Sequence, residues 1–443
     1  MFATFKQIFN RKNKDLQKKI LFTFAALFIF KLGTAIIVPG IDKNSLTGDL
    51  GFLELMNAMG GGAMEKFSIF ALGVMPYITA SIIIQLLSMD IVPYLSELSK
   101  QGATGRNKMN QITRIVGIIL AFIQGYIYSF TYVSGNSPLE YIEFALILTA
   151  GTSFLLWLGD QITAKGIGNG ISLIIMAGII ANLPTMFVTA WNNLVDLSGT
   201  TQSISLGVVM FALFIVVYIA IILGIIFEET AERRIPIQYA NKTTSSYGGQ
   251  QSYIPFRLNS AGVVPVIFAS ALISIPSIIA SFLKNDAMTV FLNKWIVMTT
   301  PTGLILYVVC IFAFSYFYTF IQLKPEELAD NLNKNGGSIP GVWPGEETVS
   351  YISKIIKRIT FVGALALAVI AALPVLFGMF SNMPTSVTIG GTGLLIVVGV
   401  ALETYKQIES QLNSRTTRRG RRKLWKTFSL SLPLRLVKGL KLD

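Results

Sequence analysis

Hydrophobic residues in this chain collect into runs of roughly 18 or more, long enough to cross about 30 Å of hydrocarbon as helix. About ten runs are predicted by length, near 20–38, 68–88, 113–133, 139–159, 171–191, 206–227, 261–283, 302–322, 359–380 and 388–405. Runs this apolar are expected to be helical, because a backbone facing lipid must satisfy its own hydrogen bonds. They are too long for barrel strands and lack a period of two. The first run follows a basic stretch, as a signal peptide's apolar core does. It is too long for one, has no convincing cleavage site and precedes further runs, so it is expected to be the first membrane helix.

Three stretches break the pattern. Residues 52–67, FLELMNAMGGGAMEKF, are half apolar, too short to span and interrupted by Gly60, Gly61 and Gly62, a flexible hinge. The segment reads either as a re-entrant element, sheltered by protein or a water-filled cavity, or as an outer loop with a frayed helix. Residues 228–260 place β-type sequence around a Thr-Ser-Gly tip, a hairpin signal. Residues 323–358 contain Gly336-Gly337, Pro340-Gly341 and Pro344-Gly345, all turn signals.

Composition agrees with a membrane protein. Only 13% of the 443 residues are charged, about half of what soluble domains carry. No soluble domain of useful size is left between the runs. The basic residues alternate by loop. Arg11, Lys12, Lys14, Lys18 and Lys19 precede the first run, and Lys100, Arg106 and Lys108 follow the second. Arg233, Arg234, Lys242 and Arg257 lie between the sixth and seventh, and Lys324, Lys334, Lys354, Lys357 and Arg358 between the eighth and ninth. The opposite loops hold little beyond Lys43, Lys66, Lys284 and Lys294. The positive-inside rule therefore puts both termini and the large basic loops in the cytoplasm. A net charge of +13 points to an acidic partner: anionic lipid, RNA or an acidic protein surface. The two long loops read as a docking platform or as solvated charge.

Catalytic chemistry is sparse. With no histidine, Ser–His–Asp and Cys–His catalysis and HExxH zinc sites are excluded. The one cysteine, Cys310, can form no disulfide within the chain. There is no P-loop, and no cofactor or metal is expected. Transporters and pumps place ionisable groups at depth, yet the runs here hold little besides Lys31, which snorkels or faces the bundle interior, and Glu403 at the last run's end. A pathway through such a protein would be lined by apolar side chains. It would hold back water and ions by dewetting, without bonding specifically to what passes.

Several longer motifs then stand in register. ALGVMPYITASIIIQLL at 71–87, WLGDQITAKGIGNGISLIIMAGI at 157–179, NSAGVVPVIFASA at 259–271, PGVWPGEETVSYI at 340–352, GGTGLLIVVGVALET at 390–404 and IVPGID at 37–42 resemble, in order, segments of the SecY/Sec61α family. The match runs from about Lys19 to Leu412. The resemblance implies an all-α polytopic protein of ten transmembrane helices, in two inverted pseudo-symmetric five-helix halves around an hourglass pore. The halves would be 20–191 and 206–405, joined by 192–205, with a basic N-terminus at 1–19 and a basic tail at 406–443. The function implied is that of a bacterial cell-membrane channel that conducts unfolded secretory polypeptides and releases membrane segments sideways into lipid. Expected partners are SecE-like and SecG-like small subunits, the SecA motor ATPase, the ribosome, signal sequences and anionic lipids.

The same resemblance assigns residues. A pore ring falls on Val74, Ile78, Ile175, Ile179, Ile267 and Ile396, with stiff β-branched side chains able to seal around a passing chain. The broken segment 52–67 becomes the plug, through Leu55, Met56, Met59, Gly60, Gly61, Gly62 and Met64. Thr79, Gln85 and Ser270 are expected to close a lateral gate between the second and seventh spans by hydrogen bonds. SecA and ribosome docking falls on Arg233, Arg234, Lys242, Arg257, Trp343, Pro344, Gly345 and Glu346. Two departures stand out. Trp343 occupies the place of the family's usual arginine, which puts motor coupling in doubt. The chain also continues past Leu412 with RTTRRGRRKLWKTFSLSLPLRLVKGLKLD, which reads as a surface-lying segment on anionic lipid, an RNA contact or a solvated tail. Beside the channel reading stand a small-solute transporter, disfavoured by the lack of buried charge, and an intramembrane enzyme, disfavoured by the lack of catalytic groups.

Overall fold

The computed structural model describes residues 13–39, 57, 60–88, 91–132, 137–195, 201–239, 252–283, 291, 295–296, 300–381, 387 and 393–412. In chain order the first helices are α1 (Lys14–Gly33), α2 (Met75–Leu87), α3 (Pro93–Lys100), α4 (Gly102–Tyr132), α5 (Pro138–Lys165), α6 (Gly170–Leu194) and α7 (Thr201–Thr230). Strands β1 (Glu232–Tyr239) and β2 (Ser252–Arg257) precede α8 (Val264–Leu283), α9 (Pro301–Leu323) and α10 (Pro325–Lys334). A short β3 (Gly337–Ser338), then α11 (Glu346–Ser381) and α12 (393–412), complete the fold.

Among the described residues, six helical stretches, in α4, α5, α6, α7, α9 and α11, are long and apolar enough to cross a membrane. α2 and the first half of α8 are apolar but shorter. The outer side of α7 shows what such a helix meets: Leu206, Val209, Val216, Leu223 and Phe227 are all exposed, an apolar face that only lipid or another protein can cover.

Two predicted runs are shorter as helix than their apolar length suggests. The first ends at Gly33, because residues 36–38 turn back to pair with 67–69: Val38 N–H donates to the Phe67 carbonyl at 2.9 Å and Ile69 N–H to Ile36 at 3.0 Å. The second becomes helical only at Met75, where Pro76 occupies the first turn. Before it, residues 68–74 are turn-like backbone, with Ser68, Phe70, Ala71, Leu72 and Val74 all buried. Non-helical backbone is tolerated at membrane depth when protein surrounds it.

The hairpin signal at 228–260 is realised as antiparallel β1 and β2, with Ile235 opposite Ile254 and Arg233 opposite Phe256. The tip lies outside the described residues. The loop starts later than its predicted edge, because α7 runs on to Thr230. β3 pairs with the other edge of β1, and the two long loops share one small core. Ile235, Ile237 and Phe256 from the hairpin pack on Ala329, Leu332, Ile352 and Ile356 from α10 and α11. Residues 346–358, expected as loop, form the start of α11. Ile352, Ile355 and Ile356 give it an inward face at helical spacing, and Glu346 and Glu347 sit at its positive end.

Candidate functional site

The six ring positions come from four places in the sequence and meet in one hydrophobic cluster. Val74, Ile175, Ile179 and Ile396 are buried in it, and the half-buried Ile78 and Ile267 pack against it. Ile175 and Ile179 share a face of α6, four residues apart. α12 comes close because Gly393 has no side chain: a Cβ there would lie 2.9 Å from Ile179 Cγ2.

On one side of the ring lies a cavity of about 560 Å³. Ile175, Ile267 and Ile396 line it, together with Glu229, Arg257, Glu403 and Lys406. The face of α12 shows how it is graded. Ile396, Val400, Glu403, Lys406 and Ser410 follow one another at helical spacing along the wall. The lining turns from apolar to charged over some 20 Å of helix at about 1.5 Å per residue. Lys406 Nζ donates to the Glu229 carbonyl at 3.2 Å, tying this wall to the end of α7.

Val74, Ile78 and Ile179 do not line the cavity; the glycine-rich segment packs beside them. Gly60, Gly61, Gly62 and Met64 are buried, and Met64 and Phe67 join the ring's cluster. Gly61 and Gly62 adopt φ of 73° and 79°, a left-handed turn that favours glycine. Added Cβ atoms show the closeness. One on Gly61 would lie 3.2 Å from Gly178 Cα, between Ile175 and Ile179 in sequence, and one on Gly73 3.8 Å from Gly60 Cα. Leu55, Met56 and Met59 lie outside the described residues.

The gate residues are less connected than expected. Thr79 donates to the Met75 carbonyl at 3.2 Å, Ser270 to Val266 at 2.7 Å, and Gln85 Nε2 to Ser81 Oγ at 3.2 Å. These three bonds stay within their own helices, and Ser270 also faces Tyr307 of α9. α2 packs chiefly on α4, and α8 chiefly on α9. Gln85 Oε1 is buried with no partner among the described residues.

The docking residues divide. Arg233 is exposed. Arg234 is engaged: its Nη2 lies 2.7 Å from Glu232 Oε1, and its guanidinium stands 4.7 Å from the centroid of the Tyr253 ring. Arg257 faces the cavity instead. Lys242 lies outside the described residues. Trp343 is 77% exposed, and Pro344, Gly345 and Glu346 lead from it into α11. Lys31 turns its amine inward: Nζ donates to the carbonyl of the buried Gly61 at 3.3 Å. Sequence reasoning overlooked Asn182, which contacts the same turn. Its signal was a single asparagine at helical spacing from Ile175 and Ile179 in an otherwise apolar run.

The sequence profile of the SecY family matches residues 68–405. The chain belongs to the SecY family. A protein translocase subunit SecY from Bacillus subtilis is 47% identical over 427 residues, covering 94% of this chain and 99% of the relative. Among solved structures, a SecY protein whose plug domain is described as stabilising the closed state of the translocation channel superposes with a TM-score of 0.61. It has 19% identity and covers 89% of this chain and 92% of its own. Sec61 from a canine ribosome–channel complex of the endoplasmic reticulum gives 0.62, with 20% identity over the same shares. The SecY fold is thus present, and with it a multi-pass membrane protein.

Proposed function

We propose that this chain is the channel-forming subunit of a bacterial Sec translocase. It passes unfolded secretory chains through the ring of Val74, Ile78, Ile175, Ile179, Ile267 and Ile396, and it releases membrane segments sideways into lipid. The observation that carries this reading is the stacking of three layers: a graded polar cavity, a hydrophobic cluster that holds the six branched ring side chains and a buried glycine turn. A hydrated chain enters the cavity, meets no group that binds it, and displaces the turn to leave. In the idle state the apolar ring is too narrow and too dry for ions.

The helices that pack most densely fall into two sets, α1 with α2 and α4–α6, and α7 with α8, α9 and α11. This supports two inverted five-helix halves hinged at the α6–α7 connection, with ten spans in all. The loop charges put the hairpin, α10 and both termini on the cytoplasmic face of the cell membrane. There the joined hairpin and second loop, with Arg233 and Trp343 outermost, form the surface for SecA or a ribosome. The apolar outer faces suit SecE-like and SecG-like single-span subunits and anionic lipid. The sequence carries no P-loop motif, so in this reading the pore is passive and takes its energy from the docked partner.

Purified complex in liposomes, supplied with a secretory precursor, SecA and ATP, should protect the precursor from added protease in an ATP-dependent way. Protease-sensitive precursor throughout, with SecA bound and active, would contradict the proposal.

A further inference from the structure

The glycine turn is held from two sides by side chains on different helices. Lys31, two residues before the end of α1, donates Nζ to the Gly61 carbonyl at 3.3 Å. Asn182, on α6, donates Nδ2 to the Asn57 carbonyl at 3.2 Å. Asn57 also closes the turn on itself. Its Oδ1 accepts from Glu65 N–H at 3.0 Å, its Nδ2 reaches Glu65 Oε2 at 3.5 Å, and its carbonyl accepts from Gly62 N–H at 2.9 Å. Both outside donors address backbone carbonyls, so they read the shape of the turn rather than its side chains. The fit leaves little slack: a Cβ on Gly62 would lie 3.2 Å from Asn182 Oδ1.

We propose that Lys31 and Asn182 form a two-point latch, which sets how strongly a signal sequence must bind before the channel opens. The inference rests on the reading of 52–67 as the plug. Asn182 shares a helix with Ile175 and Ile179, one and two turns away, so any outward movement of that ring segment pulls directly on the Asn57 carbonyl. Lys31 anchors the same turn to α1, which packs on α5 and α6. Displacing the turn from beside the ring therefore breaks the hold at both points. The hold is weak by construction. Lys66 on the turn repels Lys31, and in an opened, hydrated channel both donors regain water, so only the net value of each bond is lost.

Lys31→Met and Asn182→Leu remove the donors at nearly constant volume. In proteoliposomes, each should raise idle ion conductance roughly fivefold, and both together roughly twentyfivefold, since about 1 kcal/mol per bond is a factor near five. In cells, each should restore export of a precursor whose signal has a shortened apolar core. Lys31→Arg, which keeps a cationic donor, should stay closed. Asn182→Asp, polar but without the donor, should leak as Asn182→Leu does, which separates latch loss from misfolding. Excision of residues 57–66 distinguishes the two levels of the idea. If excision leaks while both substitutions leave conductance and export unchanged, the latch is wrong and the plug stands. If excision itself leaves conductance unchanged, the plug reading falls and the latch with it.

Discussion

Val74, Ile78, Ile175, Ile179, Ile267 and Ile396 are indistinguishable by type from dozens of other residues in the apolar runs. What sets them apart is that four distant segments bring them into one hydrophobic cluster. A β-branched side chain is restricted at χ1, so such a ring keeps its shape while offering nothing to bond. Gln85 is the opposite case. Its amide nitrogen is spent on Ser81, and its oxygen is buried without a partner among the described residues, an arrangement that costs about 1–3 kcal/mol. Gln85→Leu is therefore expected to make the idle complex more heat-stable and to demand a more hydrophobic signal sequence. An unchanged signal requirement in an export assay would remove Gln85 from the gate. At this scale the sequence showed which residues are polar but not where their hydrogens go. Thr79 and Ser270 look like bridging groups on paper, yet a hydroxyl in a helix has its own carbonyl four residues back within reach. That local acceptor wins in both.

At the level of elements, length and turn chemistry were legible wherever they were local. The hairpin, the glycine and proline turns and the helical heart of each run follow from short patterns. Helix ends were not legible, because tertiary partners decide them. α11 begins about three turns before its apolar run, drawn out by the small core under the hairpin. α2 begins late because residues 68–74 are bonded into a buried turn instead. That turn depends on α5 coming very near: at Gly151 an added Cβ would collide with the Ile69 carbonyl oxygen. Gly151→Ala should thus destabilise the protein by about 1–3 kcal/mol, as overpacking does, and lower its thermal midpoint in detergent. An unshifted midpoint would mean that the 68–74 turn is not rigidly seated.

For the whole molecule, no run of residues announces a pore. The hydropathy pattern announces a bundle, and the family resemblance supplies the positions of ring and plug; the scarcity of ionisable residues within the apolar runs was the one global hint that the path would be apolar. The assembled chain adds the order of layers, from the polar cavity through the ring to the glycine turn. It also adds the division of labour among the basic residues, since Arg257 lines the cavity while Arg233 stays outside. The central claim is that a translocating chain threads this ring. Its most direct test is a precursor stalled in the channel with a single cysteine at its midpoint, oxidised against single cysteines at Ile78, Ile175, Ile267 and Ile396 in a Cys310→Ser background. Disulfide adducts should form at all four positions and at none of the outward-facing Leu206, Val216 and Leu223 of α7. Adducts at the α7 positions, with the four ring positions unreacted, would contradict it.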